Sequence, residues 1–215
     1  LYDLYMDQAD MQINPDAQKV SIKVYIDGIG TLSGGDDSLA GYAFGQGETG
    51  VLERVKQSPA LLTDRLDQLL AKNANILIER LEFDVFGFSR GAAAARHFAN
   101  EVLRADGGVM SGYLGRALPA VAPDFSWSSH VNINFIGIFD TVAAIADPVH
   151  GHLSVGDAKN PGVNLQLARA CAKQVVHLTA ADEYRHNFSL NRVNSKYHEE
   201  LVLPGVHSNL GGGYP

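Results

Sequence analysis

The sequence predicts an α/β fold, a mostly parallel sheet with helices on both faces. Three observations carry that expectation. Apolar, β-branched runs of strand length alternate with stretches of helical spacing along most of the chain. One such run leads through Gly87-Phe88-Ser89-Arg90-Gly91 directly into an alanine-rich stretch, a strand–turn–helix unit. The 215 residues suffice for one domain with a substantial core.

The first strand is expected at Val20–Ile26, where β-branched and aromatic residues are dense and Asp27-Gly28 ends the run. Gly28 to Gly50 carries eight glycines and reads as a long loop. Val51 to Lys72 has apolar residues at Leu62, Leu66, Leu69 and Leu70, a helical spacing. Ser58-Pro59 is expected to divide it, with Ser58 capping and Pro59 at the first helical position. A strand over Leu81–Phe88 and a helix over Gly91–Leu103 follow. Asp106 to Ser129 is rich in Gly, Pro and Ser and reads as irregular. Strands are then expected at Asn132–Phe139, Gln174–Thr179 and Glu200–Leu203, with a loop over Asp147–Pro161 and a short helix over Val163–Lys173.

A formal net charge of −7 and a pI near 5.5 leave no basic stripe to neutralise phosphates, which argues against nucleic-acid binding. The single cysteine, Cys171, excludes an intramolecular disulfide and reads as a small buried apolar residue. No apolar run reaches the roughly 18 residues of a membrane-spanning helix, and the first residues lack the pattern of a signal peptide. The chain begins without methionine and stops abruptly after Gly211-Gly212-Gly213. Residues 1–215 are therefore expected to form one catalytic domain that is a portion of a longer polypeptide.

The chemistry concentrates at Ser89. A serine on a tight strand-to-helix turn adopts a strained backbone, and flanking glycines avoid collision with the neighbouring strand and helix. The turn exposes the hydroxyl, and the helix N-terminus points at developing negative charge. The bland alternative is a small-residue crossover of any α/β fold. To become nucleophilic the hydroxyl needs a base, and the base needs an acid to orient it. In α/β-hydrolases these occur in the order Ser, Asp or Glu, His. His207, in the loop after the last strand, stands where ligands bind such sheets; the competing reading is a solvated histidine. Asp140 and Asp182 both end strands and position along the chain does not separate them, though the commonest hydrolase arrangement favours the later strand, that of Asp182. Asp140 could equally cap a helix. The oxyanion hole is expected from the backbone N–H of Arg90 plus that of Gly28 or Ile29.

Other candidates are weaker. His97 falls within the helix after Ser89 and reads as a packing or solvent-facing residue. His150 and His152 lack a third ligand for a metal. Gly45-x-Gly47-x-x-Gly50 matches the dinucleotide fingerprint but lacks a proper preceding strand. Asp27, Asp36 and Asp37 fit no calcium loop.

Four segments in this order resemble a known group: Val24-Tyr-Ile-Asp-Gly-Ile-Gly-Thr31, Val85-Phe-Gly-Phe-Ser-Arg-Gly-Ala92, Gly137-Ile-Phe-Asp-Thr-Val142 and Pro204-Gly-Val-His-Ser-Asn-Leu-Gly-Gly-Gly-Tyr214. With Asp182-Glu-Tyr-Arg-His-Asn-Phe188, they resemble the bacterial and fungal family of uncharacterised α/β-hydrolase domains that includes the type VI secretion phospholipase effectors. The resemblance implies Ser89 as nucleophile, Asp140 as acid and His207 as base. It makes Asp182 and Arg185 supporting residues that pair to hold the loop of His207. The family pattern has aspartate two residues after the histidine, where this chain has Asn209.

The resemblance further implies a serine ester hydrolase of the phospholipase A type, acting on phospholipid membranes without a cofactor. A secretion spike and an immunity protein are the implied partners. The implied location is the producer's cytoplasm, with delivery to the target-cell periplasm. Two other readings stand beside it: an esterase or lipase on neutral acyl esters, and a non-catalytic binding module on a hydrolase scaffold.

Overall fold

The computed structural model describes residues 2–28, 50–118, 120–143, 162–185 and 188–213, leaving aside the side chains of residues 114–117. Four strands, β1 (Leu81–Phe88), β2 (Val131–Phe139), β3 (Gln174–Ala180) and β4 (Glu199–Leu203), pair in chain order. All three pairings are parallel, as expected for an α/β fold. Parallel neighbours force the chain to cross back between strands. Every strand therefore delivers its carboxyl end to the same edge, where Ser89, Asp140, Asp182 and His207 follow in turn.

β2 lies inside the sheet and supplies the centre of the core through Ile133, Ile136 and Ile138, each 2 % exposed or less. Helix α1 (Val51–Lys72) and helix α2 (Arg90–Leu103) complete it. α2 turns Ala92, Ala95, Ala99 and Val102 to the sheet, and these small side chains let its axis approach closely. The opposite face of β1 carries Phe86, in ring contact with Tyr5 of the N-terminal segment and with Phe135 of β2.

α1 is one continuous helix through Pro59; no break occurs at Ser58. An interior proline costs about 3 kcal/mol, because it removes one i→i−4 bond and crowds the preceding turn. Two features outweigh that cost. Buried Val51, Val55, Leu62, Leu66 and Leu69 contribute about 1.5–3 kcal/mol each. The Val55 carbonyl, which Pro59 cannot reach with an N–H, instead accepts from Ser58 Oγ at 2.6 Å. Ser58→Ala should orphan that carbonyl and lower the unfolding free energy by about 1–3 kcal/mol, readable as an earlier urea midpoint. An unchanged midpoint would show that the helix absorbs Pro59 without the hydroxyl.

Three other elements differ from expectation. Val20–Ile26 forms no strand: Gln8 takes both Ser21 backbone groups, its N–H donating to Ser21 O and its Oε1 accepting from Ser21 N, each at 2.8 Å. Ile22 and Val24 nonetheless pack on the core. Val163–Lys173 is not a helix, because side chains from elsewhere claim its backbone. Arg96 Nε donates to Leu165 O at 2.6 Å, Asn100 Nδ2 donates to Asn164 O, and the Asn164 N–H donates to His97 Nδ1. Within Asp106–Ser129, helices α3 (Val109–Ala117) and α4 (Trp127–His130) form despite the composition. Glu101 Oε2 accepts the Val109 N–H at 2.8 Å and Met110 is fully buried, so tertiary contacts override weak local propensity.

Candidate active site

β1 ends at Phe88, and α2 begins at Arg90. Ser89 between them has φ 56° and ψ −123°, a left-handed backbone that costs a non-glycine residue energy. The surroundings over-determine it. Its N–H donates to Phe139 O at 2.9 Å, and its carbonyl accepts from Ala92 N and Val142 N. Gly87 is obligatory, since a Cβ there would lie 2.2 Å from Gly91 O and 2.8 Å from Ala92 Cα. Gly91 differs: a Cβ would meet nothing within 4 Å, so the expected steric need for glycine holds on one side of the serine alone.

β2 ends at Phe139, and Asp140 follows with φ 42°, a second strained residue. Its N–H donates to Leu178 O at 2.7 Å, and Oδ1 accepts from Ala180 N at 2.9 Å, both in β3. The remaining oxygen, Oδ2, lies 2.6 Å from His207 Nδ1. His207 opens the short helix α5 (His207–Leu210) after β4, and its Nε2 lies 2.8 Å from Ser89 Oγ. A carboxylate at Nδ1 keeps the proton on that nitrogen and leaves Nε2 free to accept from the hydroxyl. Asp140 and His207 are 2 % and 3 % exposed, so the chain of bonds runs through protein and ends at a partly accessible serine. An alcohol so bonded, through imidazole to a buried carboxylate, is equipped for nucleophilic attack.

The imidazole is held from several sides. The rings of Phe88 and Phe188 each lie 4.6 Å from its centroid. Asp182 is bonded to the loop, accepting the Gly205 N–H at 2.8 Å and donating its own N–H to Gly205 O. It does not do so as the partner of Arg185, which forks onto Glu183 at 2.8 and 2.6 Å and lies over the Phe188 ring. Glu183 in turn accepts the His207 N–H at 3.2 Å. Asn209 Oδ1 accepts the Val206 N–H at 2.9 Å, so a neutral amide closes this turn where the family pattern has a carboxylate.

The fork from Arg185 holds the Glu183 carboxyl down at about 2, against an ordinary 4.5. A carboxyl depressed on folding adds stability above its unfolded pKa and loses it as pH falls toward the folded one. The advantage of wild type over Glu183→Gln in thermal midpoint should therefore be full above pH 4.5 and shrink between pH 4.5 and about 2. A difference independent of pH in that window would rule out the ion pair as its source.

Ser89, His207 and Asp140 are thus brought together, and Arg90 is the first residue of α2. The Gly28 carbonyl accepts from Arg54 Nη2 at 3.3 Å. Ile29 lies outside the described residues, as do Asp36, Asp37, His150, His152 and most of the Gly45–Gly50 fingerprint. Asp27 carries no metal-type cluster, and none of three or more His, Cys, Asp or Glu exists among the described residues. His97 is buried against Asn164, and Cys171 is buried. Sequence reasoning missed Glu183, Phe88 and Phe188 as the frame of His207. Their signal lay in the quoted Asp182–Phe188 segment for Glu183 and Phe188 and in Val85–Ala92 for Phe88, but nothing local says which face of a ring they meet.

A parallel α/β sheet with serine, carboxylate and histidine following its first, second and fourth strands defines an α/β-hydrolase-like protein. The family model for the catalytic domain of Tle1-like type VI secretion phospholipase effectors matches residues 119–215. The structure of a Tle1 effector bound to the VgrG spike of a type 6 secretion system superposes with a TM-score of 0.77 at 36 % identity. That match covers 100 % of this chain and 40 % of the effector, so the chain spans less than half of that relative's length. The crystal structure of an uncharacterised protein from Pseudomonas aeruginosa matches at 26 % identity with a TM-score of 0.43, covering 77 % of this chain and 24 % of that one. No curated protein matches. The chain is thus similar to the Tle1-like type VI secretion phospholipase effectors, over residues 119–215 by the family model and along its whole length by the effector structure.

Proposed function

We propose that this chain is a serine hydrolase of phospholipid acyl esters, of the phospholipase A type, with Ser89 as nucleophile, His207 as base and Asp140 as its orienting acid. The observation that carries the reading is the pair of bonds from Ser89 Oγ to His207 Nε2 at 2.8 Å and from His207 Nδ1 to Asp140 Oδ2 at 2.6 Å. In this mechanism Ser89 Oγ attacks the acyl carbonyl while its proton passes to Nε2. The oxyanion is held by the Arg90 N–H together with that of Gly28 or Ile29. Collapse expels the lysophospholipid alcohol, protonated by His207, and leaves an acyl-serine. Water deprotonated by the same nitrogen then releases the fatty acid.

The similarity supports the lipid substrate, because the domain matched over residues 119–215 is that of phospholipase effectors. It also supports docking to a secretion spike, which the related Tle1 effector is described as binding. An opposing immunity protein and action in the target-cell periplasm complete the proposal. Fatty-acid release should be compared between mixed phosphatidylethanolamine–phosphatidylglycerol vesicles and a water-soluble short-chain ester. Release from vesicles is expected; hydrolysis confined to the short ester would overturn the phospholipid assignment and favour a general esterase.

A further inference from the structure

We infer that His177, a fully buried histidine of β3, is a positioning residue that fixes the Asp140 turn; this rests on the proposed role of Asp140. The geometry of a second histidine–carboxylate pair, one strand beyond the first, supports it. His177 Nε2 receives the Thr141 N–H at 3.2 Å and touches Thr141 Oγ1 at 3.1 Å, while Nδ1 faces Glu200 Oε2 of β4 at 3.1 Å. A backbone N–H can only donate, so Nε2 is the acceptor and Nδ1 carries the proton to Glu200. Glu200 is itself fixed by Arg192 and by the Val193 N–H. His177 and Thr141 are both 0 % exposed, so no water replaces a lost bond.

What this pair fixes is the peptide immediately after Asp140. Asp140 sits at φ 42°, a conformation that persists only while its neighbours hold it. Asn191 N donates to Thr141 O at 2.8 Å and Asp140 N to Leu178 O at 2.7 Å, but the Thr141 N–H has His177 as its acceptor. Without that acceptor the turn is free to relax toward ordinary backbone. The Asp140 carboxylate would then swing from His207 Nδ1.

The arrangement requires a neutral imidazole, since a protonated Nε2 would point a hydrogen at the Thr141 amide. Burial pushes His177 below the ordinary histidine range, with Glu200 and Asp140 opposing and Arg96 of α2 reinforcing that shift. Arg192, paired to Glu200, is the remaining charge at this cluster.

The test is the rate at which a fluorophosphonate probe labels Ser89 in the whole chain, measured across pH for wild type, His177→Gln, His177→Asn and Ser89→Ala. A glutamine amide reaches the Nε2 position and can accept from Thr141; an asparagine amide reaches only the Nδ1 position. H177Q is expected to label within about fivefold of wild type and H177N about 10- to 100-fold more slowly, the loss typical of a reacting group misplaced by about 1 Å. The acid limb of wild type should carry a loss that H177Q lacks, because protonation of His177 breaks its bond from the Thr141 amide. Equal rates for H177N and wild type, an H177Q protein that is slow or unfolded, or identical acid limbs would overturn the inference. Labelling that persists in S89A would instead remove the proposed nucleophile, and the role of His177 with it.

Discussion

Ser89→Ala is expected to lower phospholipid hydrolysis by about a millionfold, to the level that substrate binding and the remaining amide donors sustain. The substitution deletes one oxygen and its 2.8 Å bond to His207 Nε2. It leaves in place the backbone bonds that hold the turn, from Ser89 N to Phe139 O and from Ala92 N and Val142 N to Ser89 O. Alanine tolerates φ 56° no worse than serine, and Gly87 still grants the close approach of α2. The thermal midpoint should therefore stay near that of wild type while turnover vanishes. Residual activity above about 1 % of wild type in such a folded variant would remove Ser89 as nucleophile and reopen the reading of the domain as a binding module.

Asp140→Asn should cost about 10⁴-fold in kcat, the loss known for the same change in serine-protease triads. The structure says which way the new amide must face. Oδ1 accepts the Ala180 N–H at 2.9 Å, so the asparagine keeps its carbonyl oxygen there and turns its NH₂ toward His207. A donor at Nδ1 drives the imidazole proton to Nε2, where it faces Ser89 Oγ and cannot take its proton. Both buried groups remain hydrogen bonded, so stability should change little. Steady-state kinetics together with a urea titration separates the two effects. A variant within tenfold of wild type would show that Asp140 holds the turn but does not orient the base.

The two substitutions probe parts of the site that differ in how far they can be read along the chain. The strand–Ser89–helix unit is legible because each of its causes is local. Phe83, Val85, Phe86 and Phe88 favour strand, Gly87 admits the helix backbone, and Ala92 to Ala95 favour a closely packed helix. Strands β2, β3 and β4 were legible for the same reason and fall within a residue or so of their expected ends. Elements whose backbone is claimed from afar were misread. The helix expected over Val163–Lys173 loses its carbonyls and amides to Arg96, Asn100 and His97, all on α2, and periodicity carries no trace of that competition. Ser58-Pro59 reads as a helix start because the hydroxyl that rescues the turn precedes Pro59 by one residue and resembles a cap.

The sequence by itself determined that a serine would stand on a strained turn between a strand and a helix, because propensity, glycine geometry and alanine packing act over a few neighbouring residues. Only the tertiary structure gives the physical reason that Asp140, which the family resemblance implied, meets His207 and Asp182 does not. Asp140 and Asp182 both follow strand ends, and the order β1-β2-β3-β4 with its register sets Asp140 Oδ2 at 2.6 Å from the ring and sends Asp182 to Gly205. The contacts that assemble the site span 67 and 118 residues. Interactions of that range depend on how whole strands pair and cross, which no local pattern encodes.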